Sequence, residues 1–302
     1  MGAMAGSDAA VIEFLVPYYG SPEYLHQTIA SIRALEDTDW RLTVVEDAYP
    51  DGLAVERSVR ALEDDRIRYL RNEKNLGNNA NTYRCIELAE GDWFAMPGAD
   101  DLVNPNYGRA VADLIRRHPA AAMVQPAVEV IDEAGAPHFP LPDKIKRLTR
   151  PGTGEVVLAG DAGAASLLRS NWLYTPASCY RREHLQKVSF REGIDAAHDL
   201  AFIVDVIMAG GEVVAGSEVA FRYRRHGSSH SSSFARSGRR FDQERKYFED
   251  IQAELNALQW KSAERAARRR LLSRLNALSQ LPGAALARDS GAAKAMLRHG
   301  VR

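Results

Sequence analysis

An α/β layer sandwich with a largely parallel sheet is the fold class this sequence predicts, on three observations. Short apolar runs alternate with amphipathic helical stretches through roughly residue 100. Three of those runs end in polar or turn features, namely Tyr18, Asp47 and the Gly98–Asp101 segment. Ligands of such sheets gather at the carboxyl ends of strands. The 302 residues suffice for one large domain or two modest ones.

Ala10–Pro17 is an apolar run closed by proline and reads as the first, buried strand. Ser21-Pro22 opens a helix, because a serine hydroxyl caps free amides and proline suits the first turn. Leu25, Ile29, Ile32 and Leu35 give that helix one apolar face. Leu42–Glu46 is the next strand, with Asp47 at its end. Leu53–Leu62 reads as a second helix, Ile67–Leu70 as a brief strand, and Asn78–Glu90 as a helix stopped by Gly91. Asp92–Met96 is a further strand that runs into Pro97-Gly98, and a helix follows Pro105 as far as His118.

Ala121–Val130 returns as strand interrupted by Pro126, and Ile131–Gly154 reads as mostly turns. Gly160–Gly163 reads as a turn, Ser166–Tyr174 as mixed structure and Arg181–Lys187 as a short helix. Ala196–Ala209 is a firmer helix with Leu200, Ile203, Val204 and Ile207 on a core face, and Val213–Tyr223 is a strand. The segment RRHGSSHSSSFARSGRR, Arg224–Arg240, has the composition of a polar loop beside an anionic ligand. From Asp242 onward the pattern is helical: Tyr247, Phe248, Ile251, Leu255 and Leu258 keep a three-to-four spacing. Leu271, Leu275 and Leu278 repeat it until Pro282-Gly283 interrupts.

Composition excludes several classes. At 45% hydrophobic and 26% charged residues the chain is neither collagen-like nor wholly disordered. It has no apolar run near the length of an ordinary membrane-spanning helix. Residues 1–9 read as a flexible leader rather than a secretion signal. Two cysteines are too few for a disulfide scaffold, so a cytoplasmic setting is expected. The net charge of -1 conceals an asymmetry: residues 261–302 hold ten Lys/Arg and two Asp/Glu, leaving 29 basic and 38 acidic side chains in the body. Such a tail suits contact with an anionic membrane surface, packing in a homodimer, or a solvated helical arm. No nucleic-acid partner is expected.

The candidate chemistry lies in few residues. Adjacent Asp100 and Asp101 at a strand end can hold a hard divalent ion, or can cap the turn toward Asn104-Pro105. Asp47 can satisfy loop amides or read a nucleotide base, against which Tyr18 or Tyr19 can stack. Asp199, beside His198, opens a strongly amphipathic helix, where it can cap or act as a general base. Arg222, Arg224, Arg225 and His226 offer phosphate-binding forks and a metal ligand, or a solvated loop. Rossmann, GxxxxGK[ST], HExxH and GxSxG signatures are absent.

In their order, these residues resemble glycosyltransferase family 2, enzymes of GT-A fold that transfer sugars from nucleotide diphosphosugars. FLVPYYG, the SPEYLHQTIASI helix, VVEDA, Asn75-Leu76-Gly77, GDWFAMPGADDLVNP, SCYRREHL, HDLAFIVDVIMAGG and YRRHGSS carry the likeness across residues 10 to 230. The resemblance implies a mostly parallel mixed sheet between helices, with a nucleotide-binding half at 10–104, an acceptor-binding half at 105–240 and a C-terminal helical extension at 241–302. It implies a UDP- or dTDP-sugar donor held by Pro17, Tyr18, Tyr19, Asp47, Asn75, Gly77, Ala99, Asp100 and Arg224. Mg2+ or Mn2+ would sit on Asp100 and His226, with Asp101 as a further ligand. Asp199 would be the catalytic base of an inverting transfer. Asp161, Trp172 and His198 are candidates for the wall around a small-molecule or lipid-linked glycan acceptor, with a core position the alternative for Trp172. The implied location is the cytoplasm or the inner face of the membrane.

Three positions depart from the family pattern. Gly98 stands where the metal motif has its first aspartate, Asn81–Cys85 lacks the usual arginine, and His198 replaces the glutamate before the base. These departures keep open a noncatalytic nucleotide-sugar-binding or scaffold protein. A nucleotidyltransferase suits the α/β pattern but lacks the expected basic, glycine-rich loop.

Overall fold

The computed structural model describes residues 11–36, 38–188, 191, 193–226, 238–286 and 289–301. The leader and the serine-rich segment 227–237 lie outside the described residues. The chain forms two compact units. The first comprises Met1–Glu129, Tyr174–Leu185 and Val214–Arg224; the second comprises Val130–Leu173, Gln186–Val213 and Arg225–Arg302.

In the first unit, β1 (Ile12–Tyr18), β2 (Trp40–Glu46), β3 (Ile67–Arg71) and β4 (Trp93–Ala95) pair in parallel. That is the geometry expected where each strand reaches the next through a helix. β5 (Leu102–Val103), β6 (Ala121–Ile131), β8 (Cys179–Arg181) and β9 (Glu212–Arg224) add antiparallel pairings, in the order β3-β2-β1-β4-β8-β6-β9-β5. The sheet is therefore mixed, and its parallel strands β1–β4 all lie between residues 12 and 95.

Helix Pro22–Arg33 starts as its sequence dictates: the Ser21 hydroxyl accepts from the Tyr24 amide at 3.5 Å, and Leu25, Ile29 and Ile32 are buried. Phe14 and Tyr107 meet in the core with ring centroids 5.8 Å apart. β6 continues through Pro126 without the expected interruption. Cys179–Arg181 forms a strand, and the helix after it is only Arg182–Leu185.

The second unit corrects the sequence reading most. Leu141–Thr149, inside the stretch read as turns, is a helix with Pro142 in its first turn. Gly160–Arg169 is also a helix, so Gly160–Gly163 is a helix start rather than a turn. Gly163 is required there: a Cβ would lie 2.7 Å from the Leu158 carbonyl carbon, at the end of β7 (Val156–Leu158).

Helix His198–Met208 is tied down by Arg191. Its guanidinium bonds Asp205 at 2.6 and 2.8 Å and Glu254, on helix Gly238–Ala257, at 2.6 and 2.7 Å. Helices Lys261–Arg269, Leu271–Leu286 and Ser290–Val301 complete the unit. The third of these four C-terminal helices continues through Pro282, which the sequence read as a break. Its inward face is Ala277, Leu281 and Ala284, packed with Phe241, Ala292 and Met296. Leu271, Leu275 and Leu278, which keep the helical spacing, are exposed.

Candidate functional site

Asp47 follows β2 and is buried. Its Oδ1 accepts from the Leu76 amide and from Asn72 Nδ2, each at 2.8 Å, and its Oδ2 accepts from the Gly77 amide at 2.9 Å. Asn75 Nδ2 donates back to the Asp47 carbonyl at 3.0 Å. Asp47 thus moulds the Asn75–Gly77 turn against the strand end. Gly77 has φ +87, a conformation that favours glycine.

Sequence reasoning missed two residues of this network. Asn72 Nδ2 also donates to Asn81 Oδ1 at 2.9 Å, and Asn81 Nδ2 donates to the Val45 carbonyl at 2.9 Å. The visible signal was Asn81 opening the run that departs from the family pattern. Beneath the loop, fully buried Glu46 accepts from the Tyr49 amide and pairs with Arg71 at 3.2 Å. Burial raises the Glu46 carboxyl above its ordinary range, against the lowering effect of those two partners.

Tyr18 is placed differently from the stacking expectation. Its ring is fully buried and its hydroxyl donates to the Gly20 carbonyl at 2.9 Å, so it presents no face to a base. Burial raises its phenol further from ionisation. Tyr19 is the outward aromatic, edge-on to Tyr49 with centroids 5.5 Å apart. Pro17, inside β1, and Ala99, packed against the core, contribute shape.

The Gly98–Asp101 turn closes with the Asp101 amide donating to the Gly98 carbonyl at 3.1 Å. Asp101 points inward: its Oδ1 accepts from the Arg224 amide at 2.9 Å, and Thr28 Oγ1 donates to its carbonyl at 2.7 Å. Burial, then the neighbouring Asp100 charge, raises the Asp101 carboxyl well above the usual range. Asp101 is therefore a structural carboxyl of the turn. Arg224 is buried too, with Nε donating to the Asp100 carbonyl at 2.7 Å, one terminal nitrogen to Gln27 at 2.8 Å, and the guanidinium 4.7 Å above the Tyr24 ring. These bonds make Arg224 a clamp on the turn.

At Gly98, a Cβ would meet Asp100 Oδ1 at 2.7 Å and Asp101 Oδ2 at 2.8 Å. The two acids occupy the room that a carboxylate at 98 would need. Among the described residues no group of three His, Cys, Asp or Glu side chains is arranged for a metal. One half-buried carboxylate, Asp100, fits Mg2+ or Mn2+ only where diphosphate oxygens and water supply most of the ligands.

In the second unit, Asp199 lies in the first turn of its helix with its side chain 44% exposed. His198 Nε2 lies 2.9 Å from Asp199 Oδ1, and His198 Nδ1 lies 3.1 Å from the Asp195 carbonyl. Both partners are acceptors, an arrangement that favours a proton on each ring nitrogen and hence the imidazolium form. Burial lowers its pKa, but the Asp199 charge and hydrogen bond, with Asp195, outweigh that and raise it to about 9.

Lys146, on the unforeseen helix, is a second cation near this carboxylate. It donates to the Leu173 carbonyl; burial and then Arg225 lower its pKa to about 8, while Asp143 and Asp199 act in the raising direction. Arg225 pairs with buried Asp143 at 2.9 and 3.1 Å. His226 follows Arg225, immediately before residues outside the described set.

Two acceptor-wall candidates have structural duties. Asp161 accepts from the Ser262 and Ala263 amides at 3.0 and 2.6 Å, capping helix Lys261–Arg269. Trp172 takes the core alternative: it is buried, and its indole nitrogen donates to Ser166 at 3.2 Å.

Comparison with known proteins accords with this architecture. The family model Glycosyl transferase family 2 matches residues 13–174. The succinoglycan biosynthesis protein ExoO of Rhizobium meliloti is 31% identical over 121 residues, 40% of this chain and 33% of that protein. The uncharacterized protein y4gI of Sinorhizobium fredii is 31% identical over 128 residues, and the aligned part spans 41% of this chain but only 14% of that protein.

Two solved structures share the fold at low identity. S. aureus TarS 1-349 in complex with UDP-GlcNAc gives a TM-score of 0.69 at 17% identity over 95% of this chain and 79% of that one. The mannosyltransferase PcManGT from Pyrobaculum calidifontis, in complex with GDP-Man and Mn2+, gives 0.61 at 16% identity over 95% and 78%. With its mixed sheet, flanking helices and C-terminal helical extension, the chain has a GT-A-like fold and belongs to glycosyl transferase family 2.

Proposed function

We propose that this glycosyltransferase moves a sugar from a UDP- or dTDP-sugar to an acceptor hydroxyl with inversion, using Asp199 as general base. The observation that carries the reading is the exposed Asp199 carboxylate, held by an imidazolium at a helix N-terminus. The positive end of that helix and the His198 charge both favour the ionised form a base needs.

The acceptor hydroxyl gives its proton to Asp199 while its oxygen bonds to the anomeric carbon. The bond from that carbon to the diphosphate breaks on the opposite face, and its electron pair leaves with the nucleotide. No covalent enzyme intermediate is needed. The Asp47-moulded turn and Tyr19 receive the nucleoside, and Arg224 fixes the turn that presents Asp100. Mg2+ or Mn2+ would offset charge on the departing diphosphate, with Asp100 and His226 as its protein ligands.

A donor-by-acceptor screen read by mass spectrometry, with Mg2+, Mn2+ or chelator, tests this reading. The expected product gains one sugar residue with inverted anomeric configuration by NMR, and chelator lowers its yield. The crowded space at Gly98 favours the second reading, a noncatalytic nucleotide-sugar-binding protein. Donor binding with neither transfer nor sugar-nucleotide hydrolysis across the panel would establish that reading instead.

The His198 pair has its own signature. A histidine raised from 6.5 to about 9 contributes stability that is complete below about pH 6.5 and is lost as pH rises through about 9. Thermal melts of the intact chain should therefore fall across that window relative to His198→Gln. Parallel curves would show that the pair contributes nothing.

A further inference from the structure

We propose that the C-terminal helical pair, Leu271–Leu286 with Ser290–Val301, is a docking surface for an anionic lipid bilayer. On the first helix, Leu271, Leu275, Leu278 and Leu286 are 62%, 51%, 36% and 87% exposed. Their spacing sets them along one side of the 16-residue helix, opposite the buried Ala277 and Ala284. Ala277, Ala284 and Leu281 face inward while four leucines face outward, so most of the large apolar side chains lie on the uncovered side of the helix.

The neighbouring helix extends the patch. Arg274 donates to the Gly300 and Val301 carbonyls at 2.9 and 2.8 Å, and a Cβ on Gly300 would touch Leu278 at 2.6 Å. The two helices therefore lie side by side at this point. Val301 and Leu297, four residues apart, are also exposed, with Lys294 and Arg298 on the same side of their helix.

Charge decides the occupant. The span of the pair, residues 271–301, holds Arg274, Arg288, Lys294 and Arg298 against Asp289, and Arg298 lies 3.9 Å from Asp242. It falls within a segment, 261–302, that holds ten Lys/Arg and two Asp/Glu. Both acids are engaged within the fold: Glu264 bonds Gln252 at 3.1 Å and lies 3.6 Å from Arg268, and Asp289 caps the last helix through the Ala292 amide at 2.9 Å. A second copy would bring the same excess of positive charge against this surface. An anionic bilayer supplies the opposite charge together with an apolar layer for the leucines.

The test uses the intact chain in co-sedimentation with vesicles of phosphatidylglycerol and phosphatidylcholine, beside vesicles of phosphatidylcholine alone. Anionic vesicles should bind it at least about tenfold more tightly, and high salt should release it. Leu275→Ser with Leu286→Ser, and separately Lys294→Glu with Arg298→Glu, should each weaken binding about tenfold with the helical circular dichroism unchanged. Equal binding to both vesicle types, no binding at low salt, or binding indifferent to either variant overturns the proposal. So does a dimer seen by light scattering that the serine variant dissociates while vesicles leave the protein in solution.

Discussion

Asp199→Asn should lower sugar transfer by about 10²-fold or more while leaving nucleotide binding intact. The amide has the carboxylate's shape but takes no proton from the acceptor hydroxyl. Its oxygen can still accept from His198, as Asp199 Oδ1 does at 2.9 Å, so the helix start keeps one of its contacts. The helix itself is held elsewhere, by Arg191 through Asp205 and Glu254. Unfolding should therefore not mimic the loss. A second readout is internal: with the opposing charge gone, the His198 imidazole should titrate well below about 9 in NMR. Near-full turnover in the variant would remove Asp199 from the mechanism, whereas lost turnover with unchanged His198 titration would point to a misplaced side chain.

Asp47→Ala should weaken UDP or dTDP binding by at least about tenfold and cost about 3 kcal/mol of stability. The carboxylate receives the Leu76 and Gly77 amides and the Asn72 side chain, and alanine leaves all three donors without it. Leaving one buried donor unsatisfied costs about 1–3 kcal/mol, and water entering the loosened turn recovers part of the sum. Calorimetry with the nucleoside diphosphate measures the first effect and urea unfolding the second. Unchanged affinity with lowered stability would confine Asp47 to architecture and leave the nucleoside to Tyr19 and the neighbouring loop.

Much of the first unit was legible. The Ser21-Pro22 start, the leucine and isoleucine spacing of the first helix, and the apolar runs of β1 and β2 are local patterns that need no distant partner. Asp47, Asp100 and Asp199 were singled out because each sits where an element begins or ends. Their partners were not legible. Asp47 meets Gly77 thirty positions away, Arg224 meets the Asp101 turn from 123 positions away, and Asp161 caps a helix 101 positions away. Trp172 had two readings of equal standing in its own neighbourhood, and only burial chose between them.

The sequence by itself determined the alternation of strands and helices, the family, and the positions at which carboxylates could do chemistry. Tertiary structure alone decided how each carboxylate is engaged: Asp101 turns inward to the Arg224 amide, Asp161 to a helix end, and Asp199 to His198 with its side chain 44% exposed. It also decided that Leu271, Leu275 and Leu278 face outward. The physical reason is the same in both cases. Periodicity records that a face is apolar and composition that a side chain is charged, but burial and hydrogen bonding depend on which distant segment arrives to cover them.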